Sequence, residues 1–307
     1  DVSQKGSIQI KSFNVNLSSG ENRFKAVAYN KQRTESSPVE VVVNYKVELA
    51  KPDLYLFVVG VNKYKNPKYT LNFAGADALA FKEQVEQGGN GIYGVVQTTY
   101  VADEQATKAN LLAKIDEVKI KAKKEDVFVF YYAGHGVMSE ESKAKYYLAL
   151  HDVTQLYGNN QLLMDKGISS EELQNISMQI PAQKQLFVID ACQSGGMTEM
   201  LASRGAAEEK AIAQLARSTG TFWLAASGTQ QFATEFKELG HGVFTYCVLQ
   251  ALQGQADSGT KDFKINVNEI SSFLGDKVPE ISEKYKGEAQ YPNSYGFGND
   301  FPIVIAK

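Results

Sequence analysis

Four short stretches of this chain are apolar almost without interruption: Leu54–Val61, Val127–Tyr132, Leu186–Ile189 and Phe222–Ala226. A strand without polar alternation is buried on both faces, and such strands belong to parallel sheets covered by helices on each side. The stretches between them have helical texture. Phe73–Val85 follows the first run, Thr107–Ala122 follows a weaker strand at Val95–Val101, and Val243–Leu252 and Asn266–Val278 follow the last. This succession predicts an α/β fold, a mostly parallel sheet flanked by helices. Phe301–Ile305 is expected as an edge strand, because Pro302 removes one backbone donor.

The amino-terminal 50 residues read differently. Ser7–Leu17, Arg23–Asn30 and Val39–Val47 are expected strands, with residues 18–22 as a turn; in the last strand Val39, Val41, Val43 and Tyr45 alternate with Glu40, Asn44 and Lys46. Three strands are too few for a sandwich. The expectation is a β-rich segment over 1–50, part of an immunoglobulin-like module, joined through Ala50–Asp53 to a large domain over 51–307. The chain opens on Asp1 without a signal peptide, which suggests a fragment of a longer protein, with the cytoplasm favoured as its compartment.

Composition excludes several classes. Hydrophobic residues make up 43% of 307, enough for a sizeable core, so wholesale disorder is excluded. The net charge of −3 leaves no basic excess to neutralise a phosphate backbone, and no nucleic-acid partner is expected. No apolar run is long enough to span a membrane. The two cysteines, Cys192 and Cys247, make neither a disulfide framework nor a zinc site.

In an open α/β sheet, functional groups gather beyond the carboxyl ends of the strands. One predicted strand runs into Ala133-Gly134-His135-Gly136, another into Asp190-Ala191-Cys192-Gln193-Ser194-Gly195-Gly196. A thiol becomes a good nucleophile when an imidazole takes its proton, and the same imidazole can then protonate a leaving amine. Either residue alone reads as core or loop. Together, in glycine-rich turns at two strand ends, His135 and Cys192 point to nucleophilic catalysis.

These blocks, with His135 and Cys192 separated by 57 positions, resemble the caspase and metacaspase superfamily of cysteine peptidases. The similarity extends from Leu54 to the carboxyl end, and Gly240–Thr245 resembles bacterial members. The resemblance implies peptide-bond hydrolysis, with Cys192 as nucleophile, His135 as acid and base, and the backbone N–H groups of Gly136 and Cys192 as an oxyanion hole. It leaves no third member of a triad assigned. Caspases that cut after aspartate carry Arg where this chain has Leu71, and Gln where it has Asp190. Asp77 and Asp190 match the acidic pocket of metacaspases, which implies cleavage after Arg or Lys.

Many metacaspases need calcium. In the corresponding stretch, Gly167–Leu173, this chain has Ser169 and Ser170 where acids are common, so no cofactor or metal is expected. Ser169 reads instead as a helix cap, boxed with Glu172. The expected partner is a protein or peptide substrate, and a monomer is favoured. Ser227 is a candidate for pairing with the substrate backbone. Arg204, Lys210 and Arg217 are candidate autocleavage sites, although Ala206–Ala216 could equally form a resistant helix. Cys247 and Trp223 are read as core, and His151 and His241 as loop or surface residues. The alternatives to an Arg- or Lys-directed endopeptidase are a caspase-like peptidase of another specificity and a catalytically silent caspase-fold interaction module.

Overall fold

The computed structural model describes residues 10–15, 17, 20–30, 34–45, 51–140, 145–193, 221–226, 235–236, 239–259 and 261–306, with the backbone alone at 192, 193, 235, 236 and 286. The chain divides into two compact units, Asp1–Ala50 and Lys51–Lys307.

In the first unit, β1 (Gly20–Ala26) pairs antiparallel with β2 (Val39–Tyr45), Phe24 standing opposite Val41. Gly20, expected in a turn, opens β1 at a φ of 98°, a conformation open to glycine. Part of the expected strand Ser7–Leu17 is described, and residues 10–15 lie in no strand. An apolar stretch makes a strand only where a neighbour offers it a ladder.

The second unit contains β3 (Leu54–Gly60), α1 (Ala74–Gly89), β4 (Val96–Ala102), α2 (Lys108–Lys121), β5 (Val127–Met138), β6 (Tyr146–Leu148), α3 (Asn160–Lys166), β7 (Ile168–Ser169), α4 (Ser170–Gln179), β8 (Lys184–Gln193) and β9 (Phe222–Ala225). It continues with β10 (Glu235–Phe236), β11 (His241–Gly242), α5 (Val243–Gln250), β12 (Lys264–Asn266), α6 (Val267–Lys286), β13 (Asn293–Gly296) and β14 (Pro302–Ile305). The main sheet runs β13-β9-β8-β5-β3-β4, parallel except for β13, and β6 extends it by pairing with the far end of β5.

The edge differs from expectation. β14 leaves the main sheet to β13 and pairs antiparallel with β12. The reason is packing: Val304 is fully buried and lies so close to Gly88 of α1 that a Cβ there would meet it at 2.5 Å.

Alternation sorts the apolar strands onto two cores. Tyr55, Phe57, Phe128, Phe130, Phe187 and Trp223 face one side with Leu111 and Ile115 of α2 and Leu173 of α4. Leu54, Leu56, Val129, Tyr131 and Val188 face the other with Phe81 of α1, Phe244 of α5 and Leu274 of α6. Trp223 stacks on Phe187 at 4.2 Å between ring centroids and donates its indole N–H to Thr221 Oγ1 at 2.7 Å. Burial of an aromatic pair of this kind is among the largest single contributions to a core.

Candidate active site

Both candidate catalytic residues lie inside strands, not in turns after them. β5 continues through His135 to Met138, and β8 continues through Cys192 to Gln193. The two strands are parallel neighbours at the middle of the sheet, and their register sets His135 opposite Cys192. The expected glycine turn is absent because β6 supplies β5 with a ladder beyond Ala133, pairing Gly136 with Leu148.

The glycines serve a different purpose. Neither Gly134 nor Gly136 has a positive φ. A Cβ at Gly134 would stand 2.5 Å from the Tyr132 hydroxyl and 2.9 Å from that of Tyr64, and one at Gly136 would collide with the hydroxyl of Tyr146. Tyrosine hydroxyls therefore come up against the main chain on either side of His135, which only glycine permits.

Those hydroxyls hold the histidine. Ala149 N–H donates to the His135 carbonyl at 2.9 Å, one of the two bonds an antiparallel pair exchanges. The other is relayed: His135 N–H donates to Tyr64 Oη at 2.9 Å, and Tyr64 donates to the Ala149 carbonyl at 3.3 Å. Tyr132 donates to that same carbonyl at 2.6 Å and lies 2.9 Å from the His135 carbonyl. Burial pushes the Tyr64 and Tyr132 phenols above the usual tyrosine range, so both remain protonated.

The ring of His135 is fixed by the main chain. Its Nε2 lies 2.8 Å from the carbonyl oxygen of Tyr69. A carbonyl only accepts, so Nε2 carries the proton, and in the neutral ring Nδ1 is the basic nitrogen. Tyr69 stands on the segment between β3 and α1, where Asn62 accepts from Leu71 N–H and Tyr69 Oη accepts from Leu156 N–H. The sequence assigns the His135 ring no partner, and a main-chain carbonyl carries no side-chain signal by which to find one.

Asp77 and Asp190 both border Gly242. Asp77 belongs to the first turn of α1, and Asp190 follows Leu186 and Val188 onto the face covered by α1 and α5. Both are buried, at 3% and 8% exposure, and each has an oxygen 3.2 Å from where a Cβ of Gly242 would stand. Buried carboxylates need donors. His241 Nδ1 lies 2.7 Å from Asp77 Oδ1, and Gly242 N–H donates to Asp77 Oδ2 at 3.2 Å. Thr245 gives Asp190 its backbone N–H at 3.3 Å and its hydroxyl at 2.5 Å. With that proton committed, Tyr131 is the donor to Thr245 Oγ1 at 2.6 Å. Burial first, then the Asp77 and Asp190 charges, push the Tyr131 phenol well up, which keeps its proton in place.

The remaining expectations divide. Ser169 and Glu172 form the expected capping box: Ser169 Oγ accepts from Glu172 N–H at 3.2 Å, and Glu172 accepts from Ser169 N–H at 2.9 Å. Cys247 is buried, and burial pushes its thiol up to about 12. His151 is a loop residue whose Nδ1 lies 2.6 Å from the Lys63 carbonyl. His241, read as a loop or surface residue, lies in β11 and is bonded to a buried acid 164 positions earlier in the chain. Among the described residues, no three His, Cys, Asp or Glu side chains converge as a metal site. Ser227, Arg204, Lys210 and Arg217 lie outside the described residues. No helix among the described residues is long and apolar enough to cross a membrane.

Comparison with known proteins bears on this geometry. A family model described as Caspase domain, Peptidase_C14, matches residues 55–296. Among solved structures, Caspase-1 from Spodoptera frugiperda is similar at a TM-score of 0.56 and 10% identity, over 84% of this chain and 92% of its own. Protein GSU0716 from Geobacter sulfurreducens is similar at 0.54 and 17% identity, over 83% of this chain and 97% of its own. At these identities the likeness is one of fold. No curated protein matches the sequence.

Proposed function

The chain belongs to the caspase-domain family, and from that membership we propose that it is a cysteine endopeptidase cutting after Arg or Lys. The observation that carries the reading is the pairing of His135 with Cys192 in register on adjacent central strands, with Nε2 of the histidine held on the Tyr69 carbonyl.

In this reading His135 Nδ1 takes the thiol proton of Cys192, and the sulfur adds to the carbonyl carbon of the scissile bond. The oxygen, now negative, is met by the backbone N–H groups of Gly136 and Cys192. Collapse of the tetrahedral intermediate breaks the C–N bond, and the imidazolium returns its proton to the leaving amine. Water, deprotonated by the same nitrogen, then hydrolyses the thioester and restores the thiol. The Tyr69 carbonyl steadies the ring as it gains charge. Asp77 and Asp190 supply negative charge for a basic side chain, guanidinium being the better geometric match. The same specificity turned on the chain itself selects Arg204, Lys210 and Arg217.

A positional-scanning peptide library with wild type and Cys192→Ala tests the reading. Release of product after Arg or Lys by wild type alone supports it. No turnover by wild type, or equal turnover by the variant, overturns it.

A further inference from the structure

One segment, Asn62–Leu71, holds His135 twice: the Tyr64 hydroxyl takes its amide and the Tyr69 carbonyl takes its ring. That segment lies in no strand, so no ladder of its own places these two groups. One end is tied to the stretch that follows β6. Lys65 N–H donates to the His151 carbonyl at 2.8 Å, Asn66 Nδ2 donates to the Thr154 carbonyl at 2.9 Å, and His151 Nδ1 lies 2.6 Å from the Lys63 carbonyl. The beginning is tied to a single side chain. Asp103 Oδ1 accepts from the N–H groups of both Asn62 and Lys63, each at 2.9 Å. A carboxylate accepting main-chain N–H groups makes stronger bonds than a neutral acceptor does.

Asp103 follows β4 and opens the 3-10 turn Asp103–Gln105 at a φ of 46°. This is the left-handed region, in which Asn and Asp are the side-chain-bearing residues most often found. A residue persists there where its surroundings over-determine it, and such positions gather at functional sites. Three bonds do so here: the two to Asn62 and Lys63, and Ala106 N–H to the Asp103 carbonyl at 2.8 Å. The Ala106 carbonyl accepts in turn from His151 N–H at 3.0 Å. The turn therefore clasps the segment and also the stretch to which that segment is tied. Lys63 Nζ lies 3.9 Å from Asp103 Oδ2, an exposed ion pair that adds little to this hold.

Resting on the reading of His135 and Cys192 as a dyad, we infer that Asp103 is a positioning residue, acting on His135 through the segment that carries Tyr64 and Tyr69. Its carboxylate fixes where the chain leaves β3, and so where the hydroxyl and the carbonyl stand. A small displacement of a reacting group, caused far from the chemistry, is costly in rate.

Three substitutions separate the acceptor from the backbone. Asp103→Asn keeps an acceptor oxygen and tolerates the left-handed conformation, Asp103→Gly keeps only the conformation, and Asp103→Ala keeps neither. The Asn variant should stay within about three-fold of the wild-type kcat, while Gly and Ala each lose at least about ten-fold with little change in KM. The urea midpoint of Asp103→Gly should lie above that of Asp103→Ala, although its kcat falls as far. Wild-type kcat in the Gly variant, an Asn variant as slow as Ala, or kcat that follows the urea midpoint across the three overturns the inference. A second measurement needs no turnover. In Cys192→Ala, adding Asp103→Gly should speed exchange of the His135 amide about ten-fold and leave the amides of Phe57 and Phe130 unchanged. An unchanged His135 amide overturns this inference alone; a wild type without turnover overturns the dyad reading, and this inference with it.

Discussion

The two halves of the candidate site are built by different means. His135 and Cys192 are set side by side by main-chain register in adjacent strands, with tyrosine hydroxyls and a carbonyl holding the histidine. Asp77, Asp190, His241 and Thr245 come from a helix, a strand, a two-residue strand and another helix, and meet through side chains. A ladder fixes the first half even when a side chain changes. In the second half only Asp190 shares that ladder, and the group is joined through side chains, so a substitution there alters charge and geometry together.

Removing the two proposed reacting groups tests the first half most severely. Cys192→Ala and His135→Ala should each lower kcat by more than about a thousand-fold while leaving the far-ultraviolet circular dichroism spectrum unchanged. A variant retaining near-wild-type turnover would remove that residue from the reaction. In the second half, Asp190→Asn or Asp77→Asn should cost about a hundred-fold in kcat/KM for Arg peptides. Citrulline peptides should lose much less; equal losses on both would mean that these acids only support the fold.

A smaller effect is expected where the ladder meets the tyrosines. Gly136→Ala drives a methyl group into the Tyr146 hydroxyl and should cost about 1–3 kcal/mol of stability, read from urea unfolding. A neutral outcome would mean that Tyr146 swings aside freely. The two cysteines give the mildest contrast. With its thiol pushed up to about 12 by burial, Cys247 is almost wholly protonated at neutral pH, so iodoacetamide should add once to the native protein, at Cys192. Adduct at Cys247 on the same timescale would contradict its burial.

Much of this architecture was readable from residue types. Leu54–Val61 and Val127–Tyr132 announce buried strands by lacking polar alternation, and His135 and Cys192 stand in blocks that resemble a known family. Asp77 and Asp190 were legible through that resemblance alone. β13 was not, because Asn293-Ser294-Tyr295-Gly296 has no apolar signal and owes its strand to the ladder of β9. The end of β5 was misread, since Gly134 and Gly136 look like turn residues until Tyr64, Tyr132 and Tyr146 are seen against them. His241 gave no sign of its partner, and the Tyr69 carbonyl belongs to no residue type.

The tyrosine relay also orders events in time. The amide of His135 is satisfied by a residue 71 positions earlier, and its ring by one 66 positions earlier. The pairing of Phe57 with Phe130 closes a loop just as long, so loop length does not set the order; the segment carrying Tyr64 and Tyr69 meets His135 through a hydroxyl and a carbonyl and has nothing to dock on until β3 and β5 have paired. A chain whose central strands have already paired can therefore lack a held His135 until the segment between β3 and α1 has docked. Pulse-labelled amide exchange during refolding should find Phe57 and Phe130 protected before His135. Simultaneous protection would mean that the sheet and the bonded His135 are acquired in one step. Sequential protection means that this fold passes through a stage with its sheet built and its central histidine still unheld.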